Sequence, residues 1–405
     1  MPIHSNYMNF KKLLWVNPSF LDYRVPLYQE IENQTDGNFH LIYGASRMPE
    51  RVCNKIADAL KEKAHPITSN YLYRFGGKKK TQEECFRSTG YANDSVTILI
   101  PKGLYKKISK ISPDIIIAEG FFKYTPWALL YSILHRKPLY IYYERTLHTE
   151  RSVPWWRKGY RKFVSLFVKG FLVNGEETKK LLISWGIKDN RIFTGGMSAD
   201  SDGLKKDISF LSSTQISNLK KQIAGDIPTT GLIYVYTGQL IKRKGVKELL
   251  GGWAHHIKKY PDDRLILVGA GDQECELKKI ASTFSSVIFA GEVDYSEIHK
   301  YYAISDVFVI PTLEDNWSLV VPEAMACGLP IACSIYNGCH TDLVHKDING
   351  ISFNPLDAIN VSEALDYFHN RDLKEMGRQS VKIESEFNPF HAAQNILNAF
   401  WDKQI

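Results

Sequence analysis

The run Pro311-Thr-Leu-Glu-Asp-Asn-Trp-Ser-Leu-Val-Val-Pro-Glu-Ala-Met-Ala-Cys-Gly-Leu-Pro330 follows the apolar stretch Val307–Ile310, which reads as a strand. An acidic loop comes next. Pro322-Glu323-Ala324-Met325-Ala326 then reads as a helix start, with Pro at the first position and an acid in the first turn, and Gly328 stops the helix. A strand end, an acidic loop and a helix N-terminus therefore meet at one sheet edge. Backbone N–H groups there hold phosphate, and carboxylates accept hydrogen bonds from sugar or ribose hydroxyls. The plainer alternative makes Glu323 a helix-dipole acid and Asp315 a loop residue.

Working outward, short apolar runs alternate with helical periodicity along the chain. Lys12–Val16, His40–Tyr43, Ser95–Ile100, Ile115–Ala118, Leu139–Tyr143 and Phe171–Val173 read as strands in the first half. Leu232–Tyr236, Arg264–Val268, Val287–Phe289, Val307–Ile310 and Ile331–Cys333 do so in the second, with helices such as Gly245–Lys259 and Tyr295–Ala303 between them. Nearly continuous apolar strands separated by helices predict two parallel sheets covered on both faces, an α/β fold. Residues 196–230, rich in Gly, Ser, Thr, Asp and Lys, are expected to separate them. Ligands of such sheets bind beyond the carboxyl ends of the strands, so the chemistry should gather in a cleft between the two halves.

With 405 residues, 44% hydrophobic and 23% charged, the chain has the composition of a globular protein of two or three domains, which excludes disordered and collagen-like classes. The six cysteines are too scattered for a disulfide framework and fit a reducing cytoplasm. Leu13–Val16 is too short for a signal-peptide core, and the apolar stretch 126–143 is broken by His135-Arg136-Lys137, so neither export nor a membrane span is expected. The charge is uneven: residues 1–190 carry a balance of +13 and residues 191–405 one of −6. A basic first half suggests a polyanionic neighbour, anionic lipid or nucleic acid. The run Lys78-Lys79-Lys80 reads as a solvated loop.

A second informative segment is Tyr236-Thr-Gly238-Gln239-Leu-Ile-Lys242-Arg243-Lys244-Gly245, a strand end passing through a basic loop into a helix. Three successive cations beside a helix N-terminus repel it unless an anion sits there. A solvated basic turn is the alternative.

The segment from Asp315 to Pro330 resembles the signature of the retaining nucleotide-sugar glycosyltransferases of family 4: an acid, seven residues, Glu, then Ala-Met-Ala-x-Gly-x-Pro. The resemblance implies the GT-B fold, two facing Rossmann-like domains with an interdomain cleft. It assigns Asp315 to the donor sugar, Glu323 to the ribose hydroxyls, and the backbone of Asn316, Trp317, Ser318, Leu319 and Val320 to the diphosphate. Asp replaces the commoner Glu at 315, and Asn316 and Ser318 stand where the family usually has glycines. In the basic loop, Gly238 and Lys244 match the family pattern of diphosphate grip, Gln239 replaces its Arg, and Arg243 or Lys242 takes over that charge. Leu267–Asp272 and Phe289–Val293 resemble two further turns, the second placing Gly291 and Val293 against the nucleotide base. The resemblance extends over about 230–345.

The first half resembles the family more faintly. Phe20–Leu27 is similar to its first strand–helix turn, and Asn174-Gly175-Glu176-Glu177 to the turn before its interdomain helix. Many members have a His facing the acceptor after the strand Leu139–Tyr143. Here Glu144-Arg145 takes that place with His148 nearby, and Glu144 is either a catalytic cleft residue or the ion-pair partner of Arg145. These likenesses imply an acceptor-side domain over 1–205 and a donor-binding domain over 206–387, with a helix at about 388–405 packing back onto the first.

Trp155 to Lys169 interleaves aromatics with cations, and Trp155, Tyr160, Phe163 and Phe167 approximate one helical face. The run reads as an interfacial helix on an anionic membrane or as an ordinary amphipathic helix on the sheet. No RNA-binding motif accompanies it, so nucleic acid is not expected as a partner. Cys327, Cys333 and Cys339 lack zinc-knuckle spacing, His340 and His345 read as loop residues, and the family works without metal, so no metal or other cofactor is expected. The function expected is retaining transfer of a sugar from a nucleoside-diphosphate donor to a saccharide or lipid-linked acceptor, in cell-envelope polysaccharide or glycolipid synthesis, in the cytoplasm or on the inner face of the membrane. A GT-B sugar-nucleotide epimerase and a catalytically silent nucleotide-sugar-binding protein are the alternatives.

Overall fold

The computed structural model describes residues 11–18, 22–45, 48–68, 70–75, 96–199, 201–226, 228 and 230–401. Phe20, Leu21, the Gly76–Lys80 segment, Ser95 and Cys85 lie outside them. Strands β1 (Leu13–Asn17), β2 (Phe39–Tyr43), β3 (Ala64–Pro66), β4 (Asn70–Phe75), β5 (Val96–Pro101), β6 (Ile115–Glu119), β7 (Leu139–Tyr143), β8 (Gly170–Val173) and β9 (Ile192–Phe193) come from the first half. Seven of them form one parallel sheet in the order β3-β2-β1-β6-β7-β8-β9. The second half contributes β10 (Ile233–Thr237), β11 (Arg264–Val268), β12 (Val287–Gly291), β13 (Val307–Ile310), β14 (Ile331–Ser334) and β15 (Gly350–Phe353), a parallel sheet ordered β12-β11-β10-β13-β14-β15.

Burial on both faces explains why the strands are apolar throughout rather than alternating. Every residue of β1 is buried. Leu14 and Val16 join the core beneath helices Leu104–Ile111 and Thr125–His135, while Leu13 and Trp15 join the one beneath Val25–Gln34, Glu50–Leu60 and Pro389–Trp401. The last of these helices returns the chain to the first sheet: Ala392, Ala393, Ile396 and Leu397 are buried there, and the Tyr140 hydroxyl donates to Ala399 O at 3.2 Å. The second sheet has one continuous core around Trp253, Tyr234, Phe308 and Met325.

Three expectations change. Of the run 95–100, the described residues 96–100 do form a strand, within β5 (Val96–Pro101), but it pairs antiparallel with β4 as a separate two-stranded ladder, from Asn70↔Pro101 to Phe75↔Val96. The 196–230 segment holds two helices, Asp202–Ser209 and Ser213–Ala224. A capping box closes the second: the Gln215 amide donates to Ser212 Oγ and the Ser212 amide to Gln215 Oε1. Leu204, Ile208, Ile216, Leu219 and Ile223 from these helices pack on the second core, so a polar composition concealed helices whose few apolar residues share one face. Finally, the helix in the signature runs Val320–Ala326, which puts Pro322 at its third rather than its first position.

Both sheets reverse strand order once. In the first, β1 is flanked by β2 and β6; in the second, β10 is flanked by β11 and β13. A reversal sends the following chain to opposite faces and leaves a crevice at the carboxyl ends of the two strands.

Candidate functional site

The crevice of the second sheet opens into a cavity of about 750 Å³. Its walls are the β10 end and loop (Thr237, Gly238, Gln239, Ile241), the turn after β11 (Gly269 to Asp272), Glu292, Val293 and Tyr295 after β12, and Tyr302, Val320 and Glu323. Two glycines bring the first two loops into contact. A Cβ on Gly269, whose φ is +136°, would lie 2.0 Å from Gly238 O, and one on Gly271 would lie 2.2 Å from Leu240 O. Only glycine permits that approach.

Across this crevice runs an ion pair. Lys244, in the turn after β10, donates to Asp315 Oδ2, in the loop after β13, at 2.6 Å. Arg243 lies 3.6 Å from the same oxygen. Asp315 also accepts from the Ser318 hydroxyl at 2.8 Å and the Trp317 amide at 3.3 Å. Burial alone would raise its pKa, but Lys244 and then Arg243 outweigh burial and hold the carboxyl down at about 2. The Arg243 carbonyl completes the tie by accepting from the Leu313 amide at 2.8 Å and the Thr312 hydroxyl at 3.0 Å.

Glu323 stands in the opposite situation. It lines the cavity from the first turn of Val320–Ala326, within 3.3 Å of the Tyr295 hydroxyl. Burial raises its pKa to about 7, and the Tyr295 and Tyr302 hydroxyls offset only part of that. The two acids of the signature therefore differ sharply in proton affinity because one has cations beside it and the other does not.

The remaining signature residues divide. Val320 and Glu323 line the cavity, as do Gly238, Gln239 and Val293. Gly291 closes β12 with a φ of +76°. Trp317 packs inward against Phe387, its ring 6.0 Å away, and the Trp317 and Ser318 amides are engaged by Asp315 and Asn337. Those two N–H groups, expected to face a phosphate, thus hold the loop itself. Asn316 turns the other way, lining a second cavity of about 250 Å³ together with Glu119, Lys123, Glu144, Arg145 and Arg161 of the first half. Its Oδ1 has no hydrogen-bond partner among the described residues.

This second cavity sits at the crevice of the first sheet. Glu144 pairs with the buried Arg24 and not with Arg145, which lies 3.8 Å from Glu150. Arg24 also reaches Glu119 at the end of β6, at 2.9 Å, with its guanidinium 4.1 Å from the centre of the Tyr142 ring. Arg24 lies in the Phe20–Leu27 segment likened to a cleft-bordering turn, but sequence reading missed its pairing and Glu119. The Glu119-Gly120 turn after an Ile-rich strand was the available signal. Three contacts lock the halves together: His148 Nε2 meets Leu313 O at 2.8 Å while its ring stacks on Tyr336, Arg151 donates to Glu314 at 2.6 Å, and the Glu176 amide donates to Asp342 at 3.1 Å. His148 and Glu314 are therefore interdomain fasteners.

The raised Glu323 value fixes a sign. A carboxyl whose pKa is higher in the folded chain than in the unfolded one contributes full relative stability below about pH 4.5 and loses it as pH rises through about 7. Carbon-13 NMR of Glu-labelled protein should show one carboxyl titrating near neutrality, missing from Glu323→Gln; a Glu323 resonance titrating near 4.5 contradicts the buried, cation-free setting.

Comparison with known proteins agrees with this geometry. Residues 218–382 match the family model of the glycosyl transferases group 1. A sulfoquinovosyl transferase of Arabidopsis thaliana is 30% identical over 157 residues, which cover 38% of this chain and 30% of that protein. An alpha-monoglucosyldiacylglycerol synthase of Acholeplasma laidlawii is 29% identical over 147 residues, 35% of this chain and 36% of its own length. The chain thus spans about a third of each of these relatives. Among solved structures, HepE of Anabaena in complex with UDP and glucose superimposes with a TM-score of 0.67 at 15% identity, covering 97% of this chain and all of that one. Two facing parallel sheets with crevices at their carboxyl edges lead to one conclusion: the chain has the GT-B fold, and residues 218–382 of its second half are similar to the glycosyl transferases group 1.

Proposed function

We propose that this protein is a retaining glycosyltransferase that moves a sugar from a nucleoside-diphosphate donor to a saccharide or lipid-linked acceptor. One observation supports this above the others. The cavity at the second crevice has the volume of a nucleotide site and a carboxylate, Glu323, in the first turn of a helix on one wall, and the Lys244-Asp315 pair lies outside its lining, three residues along the chain from the lining residue Ile241. In this reading Glu323 accepts hydrogen bonds from the ribose hydroxyls. Lys244 and Arg243 stabilise the charge that grows on the departing diphosphate, which is larger in the transition state than in the ground state. Asp315 orients Lys244 and reaches the sugar. Glu144 faces the acceptor from the first crevice, across Asn316. Departure and attack on one face of the sugar would retain configuration without a protein nucleophile. No metal is needed for this scheme, because the cationic loop supplies the charge.

The membrane part of the proposal rests on helix Trp155–Ser165 and its C-terminal extension. Trp155 is 85% exposed, Phe163 57% and Leu166 76%, an apolar ridge flanked by exposed Lys158, Lys162 and Lys169. Arg157 and Arg161 are buried, Arg161 against Glu150, so they are structural and not available to lipid. Among the described residues no helix is long and apolar enough to cross a membrane. Surface docking through this ridge would bring a lipid-linked acceptor to the first crevice.

Two outcomes are expected. Nucleotide sugars incubated with candidate acceptors should release nucleoside diphosphate and yield a product with the donor's anomeric configuration by NMR. In that assay Lys244→Ala should lower turnover by roughly 10²–10³ with the fold intact. Turnover equal to that of the parent would remove Lys244 from the leaving-group role, and nucleotide binding without release would favour a silent binding protein. Separately, the protein should sediment with anionic but not neutral vesicles, and Trp155→Ala with Lys158→Glu and Lys162→Glu should abolish sedimentation. Partitioning unaffected by these changes would rule out the ridge as the docking surface.

A further inference from the structure

On the side of the second sheet away from both crevices, at the amino ends of its strands, three metal-ligating side chains converge. His256 lies near the end of helix Val246–Lys259, Asp263 immediately precedes β11, and His369 sits in the turn Tyr367–Asn370. Their ligating atoms lie within 4.8 Å of one another. His256 Nε2 is 2.8 Å and His369 Nε2 2.7 Å from the same oxygen, Asp263 Oδ2. His256 and Asp263 are fully buried, and His369 is half-buried.

We infer that His256, Asp263 and His369 form a structural site for a divalent transition-metal ion, with zinc the member that suits two imidazoles and a carboxylate. Each ligand is already aimed. The Leu232 amide donates to Asp263 Oδ1 at 2.8 Å, which turns Oδ2 toward the imidazoles. Asp366 Oδ1 lies 2.6 Å from His256 Nδ1, which directs Nε2 into the trio, and Lys259 holds the other Asp366 oxygen at 3.2 Å. A carboxylate behind a ligating imidazole is the usual outer-shell support of a zinc histidine. His369 is stacked on Tyr260, with ring centroids 3.5 Å apart and planes 5° from parallel.

A metal at His256 Nε2 leaves Nδ1 free to donate to Asp366 Oδ1. Ligand atoms around a tetrahedral zinc stand roughly 3.3 Å apart, so each imidazole nitrogen need move only about half an ångström away from Asp263 Oδ2. Water would be the fourth ligand. The ion would tie together the helix Val246–Lys259, the start of β11 and the turn after Ala358–Asp366, and would have no part in sugar transfer.

Full-length protein dialysed against chelator and then titrated with zinc sulfate should take up one equivalent of zinc per chain and melt at a higher temperature. Cobalt(II) in its place should give the visible absorption of a tetrahedral site. His369→Ala, at the accessible ligand, should lose the stoichiometric binding and the thermal shift, and Asp366→Asn should weaken affinity about 10–100-fold. Less than stoichiometric uptake at micromolar zinc, or uptake by His369→Ala equal to that of the parent, overturns the assignment.

Discussion

The Lys244-Asp315 ion pair spans the place where the second sheet reverses its strand order, and the shape of the site depends on it. Lys244 follows β10 and Asp315 follows β13, neighbouring strands whose chains depart to opposite sides. The pair joins the two loops beside the Arg243 carbonyl, which accepts from the Leu313 amide and the Thr312 hydroxyl. The pair is largely buried, so the cost of desolvating two charges is offset only because Asp315 also receives Ser318, Trp317 and the nearby Arg243. Removing one partner would strand the other charge. The same pair determines the contrast between the two acids: cations hold Asp315 ionised at about 2, while Glu323, at the next helix N-terminus, is pushed to about 7 by burial.

The first sheet repeats the device. Arg24 follows β1 and pairs with Glu119 at the end of β6, the two strands at its own reversal. Glu144, beyond β7, takes the remaining side of the guanidinium. Two crevices, each bridged by an ion pair, are then held face to face by His148, Arg151 and Asp342, with Asn316 between them. Under the proposed function this arrangement separates donor from acceptor by one loop, the loop that carries the signature.

Much of this was legible in the sequence where the information is local. Strands such as Ile115–Glu119 and Leu139–Tyr143 announce themselves by continuous apolar runs, and the 311–330 string marks the second crevice because strand end, acids and helix start are adjacent in the chain. What depends on distant pairing was not. β3 contains Pro66 and β15 begins with Gly350, so neither reads as a strand, yet each is paired by a neighbour already in the sheet. Pairing with the adjacent Arg145 is one of the two readings the sequence allows for Glu144, but its partner is Arg24, more than a hundred residues earlier, which the parallel order of β1, β6 and β7 brings to it. The cations of the Trp155–Lys169 run looked equivalent by composition, but helix phase buries Arg157 and Arg161 and exposes Lys158 and Lys162. The His256-Asp263-His369 cluster has no recognisable spacing at all.

The central claim is that the nucleotide part of a donor binds in the crevice between β10 and β13. Hydrogen–deuterium exchange with and without the nucleoside diphosphate that most raises the melting temperature tests it directly. The account predicts slowed exchange in the segments 238–245 and 319–326, with little change along the strands of the first sheet. Protection confined to the first half, or none in these two segments at saturating nucleotide, would contradict it.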